Sequence, residues 1–394
     1  MKKYIRRWNE ADVNLRFFLI GAIFLGINAG VLSTTFNNYL NDMFHISERT
    51  RGILEVPREI PGFVLIAITG VLAAYSLRGW AIIVGVISGV GVIGLGFMSP
   101  SIYIMTMWMM LWSMGDHLYM PVESTMGLHF AKEGKQGKRL GQLAGARNLA
   151  MIIGALAVYL VASFLTGKKL YSVLYLCAGI CAIFSVVSFS RVKVHHDKGP
   201  GKRRFIFRRE YGFFYVLNIL FGARKQIFLT FAPWVLVTVF NTTPTVMAAL
   251  IMIASIAGVL FRQVFGMIVD RFGEKKMFIA DALILFCICG GFAFSKNVYL
   301  LYFLYIADNL MFSTRIARTT YLNKIAKEKS DIPPTISLGI TMDHFFSMIV
   351  PIMGGVLWAM FGYSKVFFAA SGVALLSLIV AFVIQVPANK KHGA

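Results

Sequence analysis

The sequence predicts an all-α membrane protein, with about twelve transmembrane helices in two pseudo-symmetric bundles of six. A helix needs roughly 20 apolar residues to cross a bilayer, and stretches of that length fill the 394-residue chain almost end to end. Hydrophobic residues make up 57% of the chain and charged residues only 14%, which excludes an ordinary soluble domain. The alternating pattern of an outer-membrane barrel is absent, so the stretches are predicted to be helices.

The first half of the chain contains six of these stretches. They are predicted at 13–40, 51–77, 79–98, 101–131, 138–166 and 168–191. Ser99-Pro100 separates the third from the fourth, and the basic run Lys132–Arg139 separates the fourth from the fifth. Turn-forming and charged residues are typical of connections outside the bilayer. Several stretches exceed the minimum length, which indicates tilted helices or helices that extend beyond the hydrocarbon.

The second half repeats this arrangement after a polar segment. Its stretches are predicted at 211–240, 244–268, 276–295, 298–326, 335–361 and 364–386. Residues 192–210 are basic, contain Gly199-Pro200-Gly201 and lack apolar periodicity, as expected of a linker. We therefore predict an N-terminal six-helix bundle at 1–191, a basic cytoplasmic linker at 192–210 and a C-terminal six-helix bundle at 211–394.

The net charge of +21 follows the predicted topology. Lys and Arg cluster on alternate connections, whereas the opposite connections, such as Asn241–Pro244, are nearly uncharged. This positive-inside pattern predicts an integral plasma (inner) membrane protein with both termini cytoplasmic. It explains the basic charge without a nucleic-acid partner, and the linker could also contact anionic lipid headgroups. The clusters are Lys2–Arg7, Lys132–Arg139, Arg191–Arg209, Lys275–Lys276, Lys324–Lys329 and Lys390–Lys391.

Sequence motifs of enzymes are absent. The chain has no Gly-rich phosphate-binding loop followed by Lys-Ser/Thr, no metalloprotease His pair and no nucleophile elbow. We therefore expect no enzyme activity, no cofactor, no metal and no ATP hydrolysis. Any active transport would then draw its energy from an ion or solute gradient.

The two halves share a weak internal repeat. The fourth stretch contains Asp116 and, seven residues later, Glu123, while the tenth contains Asp308 and, seven residues later, Arg315. Ala-Lys-Glu follows in both cases, at 131–133 and 326–328. Repeats of this kind are typical of transporters built from two equivalent bundles.

The connection between the eighth and ninth stretches carries the most informative motif. Residues 266–276 read Gly-Met-Ile-Val-Asp-Arg-Phe-Gly-Glu-Lys-Lys. This segment resembles the cytoplasmic loop signature of the major facilitator superfamily. The resemblance implies the major facilitator fold, transport by alternating access, and a gating role for four residues: Gly266, Asp270, Arg271 and Gly273.

The chain departs from the family pattern at two places. The equivalent loop at 70–79 has Ala74 where the family has an acid, so a gate on that side would need other residues. The fifth stretch lacks the Gly-Pro-x-x-Gly-Gly element of drug/proton antiporters, and its nearest echo, Pro351–Gly355, lies in the eleventh. The second departure argues against a multidrug exporter of the usual kind.

Charged side chains inside apolar stretches are costly and usually functional. In the family the first, fourth, seventh and tenth helices line a central cavity, so the resemblance places most of these charges beside it. The predicted substrate-binding residues are Asn28, Arg147, Arg224, Lys225 and Arg315. The predicted proton-coupling residues are Asp116, His117, Glu123, Asp308, Asp343 and His344. Arg suits a carboxylate or phosphate ligand, and desolvated carboxylates and histidines can carry protons near neutral pH.

Other interpretations of these residues stay open. Acids and bases such as Arg315 and Asp343 could pair only to neutralise each other and fix the helix packing. Arg224 and Lys225 point about 100° apart on a helix, so at most one can face a cavity squarely. The two Asp-His pairs could form a metal site, but histidines satisfied between helices are the commoner outcome.

Together these observations predict a secondary active transporter. We expect a monomer that moves a small organic solute, anionic or zwitterionic, by alternating access with proton coupling, in contact with membrane lipids. One alternative is export of amphipathic compounds or lipids, for which walls rich in Met and Phe are suited. A second alternative is a membrane sensor that keeps the fold without transport.

Overall fold

The structure is a computed structural model that describes residues 12–72, 76–132, 135–194 and 207–387. Most of these residues are helical. The first half contains seven described helices: α1 Val13–Phe44, α2 Glu48–Ile53, α3 Glu55–Leu72, α4 Leu77–Phe97, α5 Ile102–His129, α6 Gln136–Ala162 and α7 Gly167–Ser190. The Asp12 side chain caps α1 by accepting from the backbone N–H groups of Asn14 and Leu15.

The second half also contains seven described helices: α8 Gly212–Thr238, α9 Pro244–Phe272, α10 Glu274–Phe294, α11 Val298–Met311, α12 Arg315–Ile325, α13 Ile332–Phe361 and α14 Tyr363–Val383. The predicted tenth stretch is α11 and α12 joined by a 3₁₀ turn at Phe312–Thr314. The predicted second stretch begins as the short helix α2, and α3 starts afresh at Glu55 with Pro57 in its first turn, where a missing N–H is tolerated.

The all-α prediction is confirmed, since the described residues include no strand. Among these residues, seven helical segments are long and apolar enough to cross a membrane by length and composition alone: Val13–Phe44, Leu77–Phe97, Lys138–Ala162, Gly167–Ser190, Glu274–Phe294, Lys329–Phe361 and Tyr363–Val383. Several of the remaining long helices, including α5 and α8, carry the polar residues discussed below.

The described chain packs as two compact units. The first contains the residues up to His45, those from Ile60 to the linker, and Thr242–Ser255. The second contains Ile46–Glu59, the residues from the linker to Asn241, and those from Ile256 onward. Two segments therefore belong by packing to the unit built mainly from the other half of the chain. A division at the linker itself stays a prediction.

The first unit is held together by close packing of α1 against α6 and α7. Gly30 lies so close to α6 that an added Cβ would be 2.4 Å from the Met151 carbonyl oxygen. A Cβ on Gly154 would be equally close to the Ile27 carbonyl oxygen, so two glycines permit this approach. Phe18 and Phe189 fill the core with ring centroids 5.8 Å apart, and neither is exposed.

In the second unit α8 is the central helix. Its Phe228 packs edge-on against Phe292 of α10 and Phe367 of α14, with ring centroids 5.3 Å away in both cases. The short helix α2 lies on α13, where Gly52 is so close to the Pro351 carbonyl oxygen that a Cβ would sit 2.1 Å from it. This packing brings the charged residues of α2 and α3 to the polar face of α8.

The start of the second unit is fixed by a polar anchor. The buried carboxylate of Asp331 accepts a hydrogen bond from the Tyr211 hydroxyl at 2.6 Å and pairs with the Arg208 guanidinium at 2.9 Å. Beside it Lys327 donates to Glu210 at 2.5 Å, and this hydrogen bond lowers the pKa of the exposed Glu210 carboxyl. The chain that enters α8 is therefore joined to the start of α13.

Candidate functional site

The candidate site of the second unit is a row of three consecutive polar residues halfway along α8. Arg224, Lys225 and Gln226 each bind a carboxylate from a different element: Asp308 of α11, Asp343 of α13 and Glu55 of α3. Successive residues of a helix point about 100° apart, so one turn can serve three neighbours. One segment of α8 thus connects three other helices through charge.

The first of these contacts is enclosed. The Arg224 guanidinium donates from Nη1 to Oδ1 of Asp308, and the two side chains are only 3% and 4% exposed. The guanidinium also lies against aromatic rings, with Cζ 5.6 Å from the ring centroid of Phe221 and 5.9 Å from those of Phe228 and Phe312. Such faces stabilise a cation that has left water.

The second contact is open to solvent. Lys225 Nζ donates to both oxygens of Asp343, at 2.8 and 2.7 Å, and the side chains are 14% and 19% exposed. Gly222, one turn earlier on α8, makes this contact possible, because a Cβ there would lie 2.4 Å from Asp343 Oδ1. The pair is therefore well formed and only partly enclosed.

The third contact leads into a buried charge cluster. Glu55, which is not exposed, accepts from Gln226 Nε2 at 2.7 Å, from Arg51 at 2.5 Å and from Arg58 Nε at 2.7 Å. Three donors to one carboxylate satisfy a buried charge well.

A second carboxylate continues this cluster toward α13. Glu59 pairs with Arg58 at 2.8 Å, and its Oε2 lies 2.9 Å from Nδ1 of His344. His344 therefore contacts α3, whereas the preceding Asp343 contacts α8.

The first unit contains a looser ion pair. Arg147 Nη1 of α6 lies 3.3 Å from Glu123 Oε2 of α5, with side chains 26% and 14% exposed. Glu123 Oε1 is buried with no hydrogen-bond partner among the described residues. The Arg147 guanidinium is 5.6 Å from the Tyr119 ring centroid, and the charge of the half-buried Asp116 also acts on it.

The remaining predicted binding and coupling residues are Asn28, His117 and Arg315. Asn28 is buried and donates to the Ala178 carbonyl of α7 at 3.2 Å, so it joins two helices of the first unit. His117 is buried and its Nδ1 lies 2.8 Å from the Ser113 carbonyl oxygen, one turn back on α5. Arg315 is exposed at the start of α12, while Asp343 is paired with Lys225 instead.

The predicted gating motif spans the end of α9 and the start of α10. The backbone of α9 is helical through Gly266 and Asp270, whose side chains are outside the described part. Arg271 is exposed and lies 5.4 Å from the Phe272 ring centroid. Gly273 has a φ of +80°, a conformation that side-chain-bearing residues rarely adopt. In the equivalent first-half loop at 70–79, residues 73–75, including Ala74, lie outside the described residues.

Several residues in these networks were not predicted from the sequence as binding or coupling residues, among them Glu274, Gln226 and Asp281. Glu274 follows Gly273 and is buried, with Lys324 Nζ of α12 at 2.7 Å. Gln226 continues the polar row of α8, and Asp281 interrupts the apolar α10 near Arg224. An isolated acid in an apolar stretch was a usable signal for Asp281; Gln226 is uncharged and gave none.

A family model and several known proteins are similar to this chain. The model of the Major Facilitator Superfamily matches residues 214–394, which is somewhat less than half of the chain. The matched part includes the loop at 266–276, so the resemblance of that loop to this family is confirmed.

Solved transporters share the fold over nearly the whole length of this chain. The nucleoside transporter NupG matches with a TM-score of 0.75 at 14% identity, covering 94% of this chain and 98% of that one. A D-xylose-proton symporter gives 0.71 at 16% identity, with 96% and 98% covered. A bacterial homologue of the human lysosomal transporter Spinster, inward-facing and unoccupied, gives 0.71 at 12%, with 94% and 96% covered. At these identities the likeness concerns the fold alone.

A relative with a named activity matches over a shorter length. The multi-drug resistance efflux pump PmrA of Streptococcus pneumoniae is 29% identical over 133 residues, which are 33% of this chain. The match spans 32% of the pump, about a third of its length.

Proposed function

We propose that this chain is a proton-coupled secondary active transporter of the major facilitator type, which moves a small organic solute that carries a carboxylate or another anionic group. The observation that carries the proposal is the Lys225–Asp343 pair. It lies in mid-helix positions of α8 and α13, its geometry is good, and both side chains remain partly exposed. A charge pair in a membrane segment that solvent still reaches is the usual place for solute and proton to meet.

The chemistry follows from the pairing. While Asp343 is ionised, it occupies the Lys225 ammonium through both of its oxygens. When Asp343 takes up a proton, the ammonium loses its counter-ion and can bind the anionic group of a solute, so the local charge stays balanced. Proton uptake and anion binding then favour each other. This coupling supports movement of both in the same direction.

The other ion pairs fit supporting roles in this scheme. Arg224 and Asp308 are enclosed, so we assign them to proton coupling and helix positioning rather than to first contact with the solute. In the first unit, Glu123 has one buried oxygen without a partner among the described residues and is the second candidate proton carrier, with Arg147 as its counter-ion.

The proposal extends to the membrane setting. The basic connections support an inner-membrane protein with both termini cytoplasmic. We further propose a monomer divided at the linker of residues 192–210, which borders anionic lipid headgroups. Accessibility of single cysteines placed at Lys132 and Asn241, on opposite predicted sides, would check the orientation.

Export of amphipathic compounds is the second candidate function. The match with the efflux pump PmrA favours it, over the third of that protein that is aligned. An exporter would expel a dye such as ethidium from energised vesicles, and it would not require an anionic group on the solute.

A ligand screen followed by a transport assay tests the first proposal. Purified protein is screened for stabilisation by carboxylic acids, amino acids and neutral or cationic amphiphiles. A stabilising acid is then labelled and its uptake measured in proteoliposomes with an imposed pH gradient. We expect uptake that depends on the gradient and is lost in Lys225→Met and Asp343→Asn.

The matched control is Lys324→Met. Lys324 forms a similar partly exposed pair with a carboxylate at 2.7 Å, at the Glu274 end of α10. This variant should retain solute binding. Stabilisation by cations or neutral amphiphiles alone, or equal loss of binding in both lysine variants, would defeat the proposal.

A further inference from the structure

A small cavity lies inside the second unit, next to the enclosed Arg224–Asp308 pair. Its volume is about 40 Å³, and residues of α8, α10, α12 and α14 line it together with Thr314 of the 3₁₀ turn. Most of the lining is apolar, for example Phe221 and Leu285, but Arg224, Asp281 and Arg318 also face it. An apolar cavity with a few convergent polar groups is a form that binding sites between packed helices often take.

The polar groups around this cavity have unused hydrogen-bonding capacity. Arg224 is 2% exposed and uses Nη1 for Asp308, but its Nε and Nη2 are buried without a partner among the described residues. Asp281 Oδ1 is shielded from solvent in the same way. Unmade hydrogen bonds of buried charged groups are expensive. The cavity has room for about two water molecules, which would supply the missing bonds.

Among the residues that line the cavity and Asp308, the charges balance only if Asp281 is counted, while Arg315 and Asp343 act on Arg318 from outside the lining. Arg224 and Arg318 contribute two positive charges, and Asp308 neutralises one of them. Arg318 is 6% exposed, lies with Cζ 3.5 Å from the Phe221 ring centroid and donates to the Leu217 carbonyl at 3.5 Å. Asp281 is the acid that acts on both cations. Arg224 therefore stands between two carboxylates carried by different helices.

We propose that this cavity is hydrated and that Asp281 is a second counter-ion of Arg224, joined to it through water. When Asp308 is ionised, Arg224 binds it directly, and the charge of Asp281 mainly neutralises that of Arg318. When Asp308 is protonated, the charge of Arg224 is balanced by Asp281, so the buried cation of α8 still has a counter-ion. The state with a protonated Asp308 rests on the proposed proton coupling. The sharing of Arg224 by Asp281 and Asp308 does not.

Thermal unfolding of the detergent-solubilised protein tests the shared pairing without any transport assay. The variants are Asp281→Asn, Asp308→Asn and the double variant, each also made with Arg224→Met. Each single replacement leaves Arg224 one acid, so we expect modest losses of Tm. The double variant should lose at least about 2 °C more than the sum of the singles. With Arg224→Met this excess should vanish, because no shared cation remains.

Controls separate pairing from general damage. Asp281→Glu should retain most of the wild-type Tm, and Asp281→Asn combined with Asp331→Asn, at the remote anchor, should give additive losses. A double variant that cannot be purified folded, while both singles can, also counts as the expected excess. The proposal is overturned if the losses of Asp281→Asn and Asp308→Asn add, or if the same excess persists with Arg224→Met. Because no solute is involved, the transport proposal can fail while this one holds.

Discussion

The two units differ in the number of helices that one helix binds through its polar side chains. Among the described residues of the first unit, Arg147 and Glu123 form a pair that joins α5 to α6, 3.3 Å apart and partly exposed. In the second unit the consecutive polar residues of α8 reach three carboxylates on three elements. The internal repeat of the sequence does not extend to these environments. Glu123 is paired near the protein interior, whereas Arg315, at the repeated position, is exposed.

This difference indicates where a bound proton or anion can have the widest effect. A change at the pair of the first unit alters one helix contact. A change at one of the three polar residues of α8 also affects the adjacent residues in the sequence, which bind carboxylates of two further helices. We therefore expect replacements on α8 to be more damaging and less local than those at the looser pair.

The largest expected effect is that of Arg224→Met. This change leaves Asp308 enclosed without its direct partner, and breaking one side of a buried pair typically costs about 3–5 kcal/mol. Unfolding of the purified protein, followed by tryptophan fluorescence, would show the loss. If the variant were as stable as wild type, the Arg224–Asp308 pair would have no structural importance.

Gly222→Val is expected to have a somewhat smaller effect on stability and a large one on function. The added Cβ would meet Asp343 Oδ1 at 2.4 Å and push that carboxylate away from Lys225. Overpacking of this kind costs about 1–3 kcal/mol. Gly372→Val is the matched control, because a Cβ on that helical glycine has open space around it. Unchanged ligand binding in Gly222→Val would contradict the role of the Lys225–Asp343 pair.

Arg147→Met should cost less than Arg224→Met, about 1 kcal/mol or below. Its pair with Glu123 is longer and both side chains reach solvent, so screening weakens it. The comparison of the two arginine variants under one set of detergent conditions is the direct measurement. Equal losses would remove the distinction between the two units.

A similarly small effect is expected in the connecting loops of the two halves. Gly273→Ala forces a side chain into a backbone with φ of +80° and should cost about 1 kcal/mol. Gly79→Ala, in the first half, should cost less, because its Cβ would meet only the Ser76 hydroxyl at 3.2 Å. Differential scanning fluorimetry of both variants would resolve the order, and a larger loss for Gly79→Ala would reverse it.

Much of the fold was predictable because the physical signal is long and simple. Apolar stretches of bilayer length fix the helices, and only short features escaped, such as the separate helix α2 and the 3₁₀ turn at Phe312–Thr314. These breaks depend on tertiary packing, for example of Gly52 against α13, which a hydropathy pattern does not contain.

The candidate site was predictable in residue types but not in partners. Mid-helix charges such as Arg224, Lys225 and Asp308 stand out in an apolar sequence. Which acid binds which base depends on helix rotation and on small residues such as Gly222, and a shift of one position turns a side chain by about 100°. The charges of α2 and α3 pack with α8 and α13, which their position in the chain does not reveal.

The polar anchor at the start of the second unit has a mechanical consequence. Asp331 pairs with Arg208 and accepts a hydrogen bond from Tyr211. The end of the linker is therefore bound at two residues to the start of α13, just before α8 begins. A pulling force on the linker would therefore act on α13, the helix that carries Asp343. Inserted tags or shortened tethers should accordingly be placed on the N-terminal side of Arg208, where they leave this fastening intact.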